Sequence, residues 1–386
     1  MKSKTIGLLA GITIVGILLA VFANREPSTN IPQSGQLLFP DLMNVVNDVN
    51  EVVIETKEQT ITLVRGEQTW EIKEKASYRA DVEKVKKVIV GLADLRIHEP
   101  KTKNPELYER LGLQDSDQEG SPSKTVTVKT AGNSEAAKLV VGNQKPAKGN
   151  PRMSDIYVRK PGDPQTWLVI GNVAIETMPG EWLDKEVTAL TTKRVRQVTV
   201  THPKGETLHL SKAKPEDLDF QLDSIPTGSK ISSQFNVNNV VGTLVQLSLE
   251  DVKPQAEVDF TAKPGVSAIL ETFDGLRLHV HTTKQDEKVF AKISADFDAN
   301  LVQPSEAESK PKDRPKSEEA EAEKGEKDKG AGVEPSKKDS LLNKPEEVQK
   351  EVESLNQRTN DWAYELPSFR VENFSKLKKD LIEKEK

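Results

Sequence analysis

At 386 residues the chain is long enough for two modest domains or one duplicated one. Its formal net charge of −6, with no basic cluster among its aromatics, argues against a nucleic-acid partner, whose phosphates demand a basic face. The absence of cysteine excludes disulfides, iron–sulfur clusters, thiolate zinc sites, catalytic thiols and a lipid-modified N-terminal cysteine.

Residues 5–23 (TIGLLAGITIVGILLAVFA) carry no charge and approach the roughly 20 apolar residues that span a bilayer core. Lys2 and Lys4 precede the run and Arg25 follows it. The positive-inside rule then puts the N-terminus in the cytoplasm and the bulk of the chain in the periplasm, as a single-pass protein of the inner membrane. A cleaved signal peptide is the rival reading, with Val21-Phe22-Ala23 as its cleavage site. Its apolar core is usually about 7–15 residues, shorter than this one. Gly7 and Gly11 stand in GxxxG spacing, which is common in membrane helices whether or not they pair.

Residues 24–36 are polar, with Pro27, Pro32 and Gly35, and form a tether. Leu38, Leu42, Val45, Val46 and Val49 suit a helix leading into the first strand. Three strands follow, at Val52-Val53-Ile54, Ile61-Thr62-Leu63 and Trp70-Glu71-Ile72, then a helix with the stripe Val85, Val88, Ile89, Leu92 and Leu95. Asp81 is placed as the N-cap or a first-turn acid of that helix. Residues 104–113 make a short helix, with Pro105 in its first turn and Gly112 just past its end. Strands at 125–129, 138–141, 156–159 and 167–170 complete the half.

The same order and spacing then recur. Val198-Thr199-Val200, Leu208-His209-Leu210 and Phe220-Gln221-Leu222 are followed by the stripe Val237, Val240, Val241, Leu244 and Leu247. Strands at 267–272, 276–281 and 289–293 come next, with Asp274-Gly275 as a hairpin turn. Residues 303–344 are rich in Glu, Lys, Pro, Ser and Gly, a composition that predicts disorder. Residues 346–360 regain helical character. Trp362-Ala363-Tyr364-Glu365-Leu366 matches the last strand of the first half, so the charged stretch is an insertion within the second half. Phe374, Leu377 and Leu381 suit a terminal amphipathic helix.

Little of the pattern is left over for chemistry. Of the five histidines, His279 and His281 share a strand face. Leu276, Leu278 and Val280 occupy the other face, which points both imidazoles to water. A metal would need three or four placed ligands, and none is implied. Asp115-Ser116-Asp117-Gln118-Glu119-Gly120 imitates the start of a calcium loop, but its twelfth position is Val126 and not the required Glu. Residues 142–149 (GNQKPAKG) lack P-loop spacing and are read as a hairpin loop. Asp217/Asp219 and Asp296/Asp298 are read as surface acids. Trp70, Trp167 and Trp362 are read as core, while Trp182 beside Pro179-Gly180 is open to a ligand-stacking role.

Trp70-Glu71-Ile72, Tyr78-Arg79-Ala80-Asp81 with its helix, Leu111-Gly112-Leu113, Leu139-Val140-Val141-Gly142, Ile156-Tyr157-Val158-Arg159 and Trp362 to Pro367 together resemble the bacterial domain of unknown function 4340 family. The resemblance covers most of the chain after the anchor and carries over no catalytic residue. It implies one N-terminal membrane helix and a gene neighbourhood of ABC-transporter subunits and a gliding-motility-type auxiliary protein. The charged insertion departs from the shorter family pattern.

The expected architecture is α+β: an N-terminal transmembrane helix, then two pseudo-repeated halves, each a mostly antiparallel sheet covered by helices. The expected bounds are 1–24 for the anchor, 25–190 and 191–302 for the repeats, 303–345 for the insertion and 346–386 for the helix-strand-helix that completes the second repeat. The expected role is a non-enzymatic accessory or scaffold of an ABC-type membrane complex. Its partners are the membrane and proteins of that complex, with no nucleic acid and no cofactor, metal or catalytic residue assigned. An envelope protein binding polysaccharide or peptide in a cleft between the halves is the alternative. An enzyme, with converging polar residues of perturbed pKa, is the third reading.

Overall fold

The computed structural model describes residues 34–302 and 342–384. The expected anchor and nearly all of the charged insertion lie outside them. Among the described residues, no helix is long and apolar enough to cross a membrane. The chain divides into two compact units: residues up to Glu74 with Arg79–Trp182, and Lys75–Tyr78 with the residues from Leu183 onward.

The first unit is built on a sheet ordered β4-β3-β2-β1-β6-β7-β8-β9-β5. Its strands are β1 (Val49–Glu55), β2 (Thr60–Arg65), β3 (Trp70–Ile72), β4 (Tyr78–Arg79), β5 (Arg96–Pro100), β6 (Lys124–Thr130), β7 (Ser134–Ala147), β8 (Asn150–Arg159) and β9 (Thr166–Gly171). Alternation puts Val52, Ile54, Ile61, Leu63, Val126 and Val128 on the buried face. The helices are α1 (Leu42–Val45), α2 (Val82–Ala93) and α3 (Tyr108–Leu111). In α2, Val85, Val88, Ile89 and Leu92 are buried at helical spacing, and the Asp81 carboxylate accepts the N–H groups of Glu83 and Lys84. Gly112 closes α3 in the left-handed region at φ 66°.

The second unit carries β10 (Val195–Thr201), β11 (Thr207–Ser211), β12 (Gln221–Leu222), β13 (Ser229–Ile231), β14 (Asp251–Pro254), β15 (Pro264–Thr272), β16 (Leu276–Gln285), β17 (Lys288–Phe297), β18 (Trp362–Glu365) and β19 (Ile382–Lys384). Its main sheet runs β12-β11-β10-β15-β16-β17-β18-β14. Its helices are α4 (Gln234–Val245), α5 (Pro345–Thr359), α6 (Ser368–Phe374) and α7 (Lys378–Leu381). The stripe Val237, Val240, Val241 and Leu244 on α4 is buried, as its counterpart is on α2. Lys75 and Tyr78 belong here: Lys75 Nζ lies 2.6 Å from Asp251 Oδ1, and the Tyr78 ring meets Trp362 edge-on at 4.9 Å.

The protein is thus a sheet-rich α+β fold with two antiparallel sheets and few helices. Leaving β4 aside, the two strand orders correspond position by position. Even the irregularities match. The β1–β6 register shifts between Val49 and Glu51, and the β10–β15 register shifts between Val195 and Gln197. β18 pairs with both β17 and β14, as β9 pairs with β8 and β5.

Several local expectations are corrected. Residues 142–149 are not a loop: β7 runs through Ala147, and only Lys148 and Gly149 turn the chain. Gln144, Lys145 and Pro146 pair with Ile156, Asp155 and Ser154, which pair on their other side with Val169, Ile170 and Gly171 of β9, so the sheet continues where a loop was expected. Gly142 is required there, because a Cβ on it would sit 2.5 Å from the Leu111 carbonyl oxygen. The terminal helix is broken into α6 and α7, with β19 after them pairing β13. The first expected helix shrinks to α1 and a short 3-10 turn. Leu95 and Leu247, counted in the helical stripes, lie past the helix ends but are buried all the same.

Candidate functional site

Among the described residues, the outer face of β15–β17 gathers a connected set of charged side chains. β16 and β17 are in register at Arg277↔Asp296 and His279↔Ser294, so alternate side chains stand side by side. Arg277 Nε lies 3.0 Å from Glu271 Oε1, its Nη1 lies 3.4 Å from Asp296 Oδ1, and its Nη2 pairs with Asp298. Asp296 Oδ2 is 2.5 Å from His279 Nε2. Burial opposes the Arg277 charge, but Asp296, Glu271 and Asp298 outweigh it and raise its pKa. His281, on the same face, is shifted the other way by burial, Lys292 and His279. Asp296 and Asp298 are therefore tied into a network and are not merely surface acids. Sequence reading missed the network because its members come from different strands.

A second network is buried. Arg194 Nε donates to Asp274 Oδ2 at 2.8 Å, and its Nη1 and Nη2 donate to the two Glu351 oxygens at 2.9 and 2.8 Å. The Thr272 hydroxyl and the Asn343 backbone N–H complete the shell of Asp274. Asn356 on α5 accepts from the Ala295 N–H and donates to its carbonyl, both at 2.8 Å. Through Glu351 the network ties α5 to the β15–β16 turn, and Asn356 holds it onto β17 where the four-residue β18 leaves β17 backbone unpaired.

The other residues singled out by sequence fall as follows. His279 and His281 do lie on the outward face, away from the buried Leu276, Leu278 and Val280. Among the described residues, no group of three His, Cys, Asp or Glu side chains is arranged to hold a metal. Asp115 pairs with Arg159, while Asp217 accepts the Lys214 N–H and Asp219 bonds Asn238. Trp70 and Trp167 are buried, but Trp362 is only half-buried. Trp182 is fully buried and donates its indole N–H to the Glu176 carbonyl, which closes it to ligand stacking. Lys212 was not noticed in the sequence. It is buried over the Phe220 ring, bonded to the Pro215 and Asp217 carbonyls, and burial pushes its pKa down.

The α4–α6 surface differs in kind. α6 packs on α4, and the segment before β12 is tied to α4 by Asp219 to Asn238 and by Gln234 to the Phe220 carbonyl. From these adjoining elements Leu218, Phe235 and Phe369 project at 84, 75 and 58% exposure. Beside Phe369, Arg370 donates Nη1 to the Gln246 carbonyl at the end of α4. Arg370 has no carboxylate partner among the described residues, its Nε has no acceptor, and burial lowers its pKa. With Lys185 and Ser248 it lines a concavity of about 490 Å³. Large exposed apolar side chains and an arginine without a carboxylate are the residue types of a recognition surface.

No curated protein and no solved structure matches the chain. The family described as Domain of unknown function (DUF4340) matches residues 70–269, from β3 to within β15. That span takes in both helical stripes and just over half of the sequence, and on it the chain belongs to the DUF4340 family.

Proposed function

We propose that the protein is a single-pass accessory of an ABC-type transport complex, anchored in the inner membrane by residues 5–23 and acting outside the cytoplasm as a scaffold. In this reading the matching strand orders are an internal duplication, and the role is binding and not catalysis. The uncharged N-terminal run and its flanking lysines support the anchor. The transport link rests on what is implied by the family resemblance. The observation that carries the scaffold role is the set of large apolar side chains Leu218, Phe235 and Phe369 that stand in water on and around α4 and α6. The chain's buried and clustered charges support it too, because they are engaged with one another in holding strands and helices together.

The test is a pull-down from membranes with the full-length chain and with the variant L218S/F235S/F369S. Substitutions at such exposed positions change stability by only about 0.5 kcal/mol each. The expected outcome is that transporter subunits co-purify with the parent chain and are lost from the variant at unchanged thermal stability. Equal recovery by both, or recovery of no membrane partner, would overturn the reading.

A further inference from the structure

In the first unit, Arg159 ends β8 at the wall of a cavity of about 400 Å³. Its side chain is only 8% exposed, and its guanidinium lies 5.0 Å from the centre of the Tyr108 ring. Nη2 donates to the Leu113 carbonyl and to Asp115. Asp115 itself is 62% exposed, so this counter-ion sits largely in water. The Nε–H is occluded and has no acceptor, and Nη1 takes none among the described residues. A guanidinium so placed is desolvated and only partly served, and Nη1, which is not occluded, is the edge that an incoming carboxylate can take.

The rest of the wall has the opposite sign. Glu106 and Glu109 are exposed, three residues apart, and neither is paired with a cation among the described residues. A purely anionic ligand meets repulsion from them, and a purely cationic ligand meets Arg159. A molecule carrying both charges satisfies both ends. The cavity volume lies in the range of small-molecule sites.

We propose that this cavity is a binding site for a small amino-acid-type zwitterion. The ligand carboxylate is held by Arg159 over the Tyr108 ring, and its ammonium group by Glu106 and Glu109. The site is independent of the α4–α6 surface, and either proposal stands without the other.

Titration calorimetry on the purified full-length chain, with glycine, L-lysine and Ala-Ala as probes, tests it. At least one probe is expected to bind saturably. Hexanoate and pentylamine, which keep one charge each, are expected to bind at least tenfold more weakly. R159M is expected to abolish binding, and E106Q/E109Q to weaken it at least tenfold. Because both glutamates are exposed, the double variant is readable even where R159M does not fold. Failure of all three probes to bind, a one-charge analogue binding as well as its zwitterion, or unaltered affinity in E106Q/E109Q would each overturn the proposal.

Discussion

At the scale of single residues, charge is used here mainly across strands. Glu51 on β1 lies opposite Lys129 on β6, with their charged atoms 2.7 Å apart, and Lys73 stands 3.5 Å from its other oxygen. The hydrogen bond from Lys129, against the opposing effect of burial, holds the Glu51 pKa below its ordinary value. A depressed carboxylate pKa contributes stability that is complete above the unfolded value of about 4.3 and is lost as pH falls through the folded one. E51Q is therefore expected to lower stability at pH 7 by about 0.5–1 kcal/mol, the range of an exposed pair. Denaturant titrations of parent and variant should converge as the pH is taken below 4. A difference that persists undiminished at low pH would assign the effect to packing instead.

At the scale of elements, the Arg194 network is the joint between sheet and helix. Asp274 is 1% exposed, so removing its partner strands a buried charge, which typically costs about 3–5 kcal/mol. R194M is expected to fall in that range, and D274N in the R194M background to recover part of the loss. A double-mutant cycle read by urea unfolding checks this. If the two losses simply add, the pair does not act as a unit.

The elements that sequence reveals are those whose burial follows a period. The stripes Val85 to Leu92 and Val237 to Leu244 were legible because a helix burying one face must repeat every three to four residues. β5 and β14 were not: the first, Arg96–Pro100, buries Ile97 alone, and the second, Asp251–Pro254, buries Val252 alone. Both are edge strands defined by backbone pairing, which leaves no apolar alternation to read. The far end of β7 escaped for the same reason, since residues 142–147 bury no side chain. The sites escaped because charge pairing is blind to chain distance. Arg159 and Asp115 are 44 residues apart, and Arg194 and Glu351 are 157. Arg370 stands out only once the structure leaves it without a carboxylate.

For the whole molecule, the order of strands decides what the chain can lose. The segment between residues 302 and 342 joins β17 to the residues that continue the same sheet. Its composition predicts that limited proteolysis cuts there first. The fragments are expected to stay together through native size-exclusion chromatography, because β18 bonds to β17 and β14, and α5 is held by Arg194 and Asn356. Separation without denaturant would contradict the pairing.

The interior position of β18 also bears on biosynthesis. A ribosome delivers β10 to β17 long before Trp362, so the nascent second unit carries an uncompleted β17 and an isolated β14 until the last few dozen residues emerge. Unpaired strand backbone of that kind templates association with other chains. A prematurely terminated product is thus not a shorter working protein but an adhesive one, and only full-length synthesis removes the hazard.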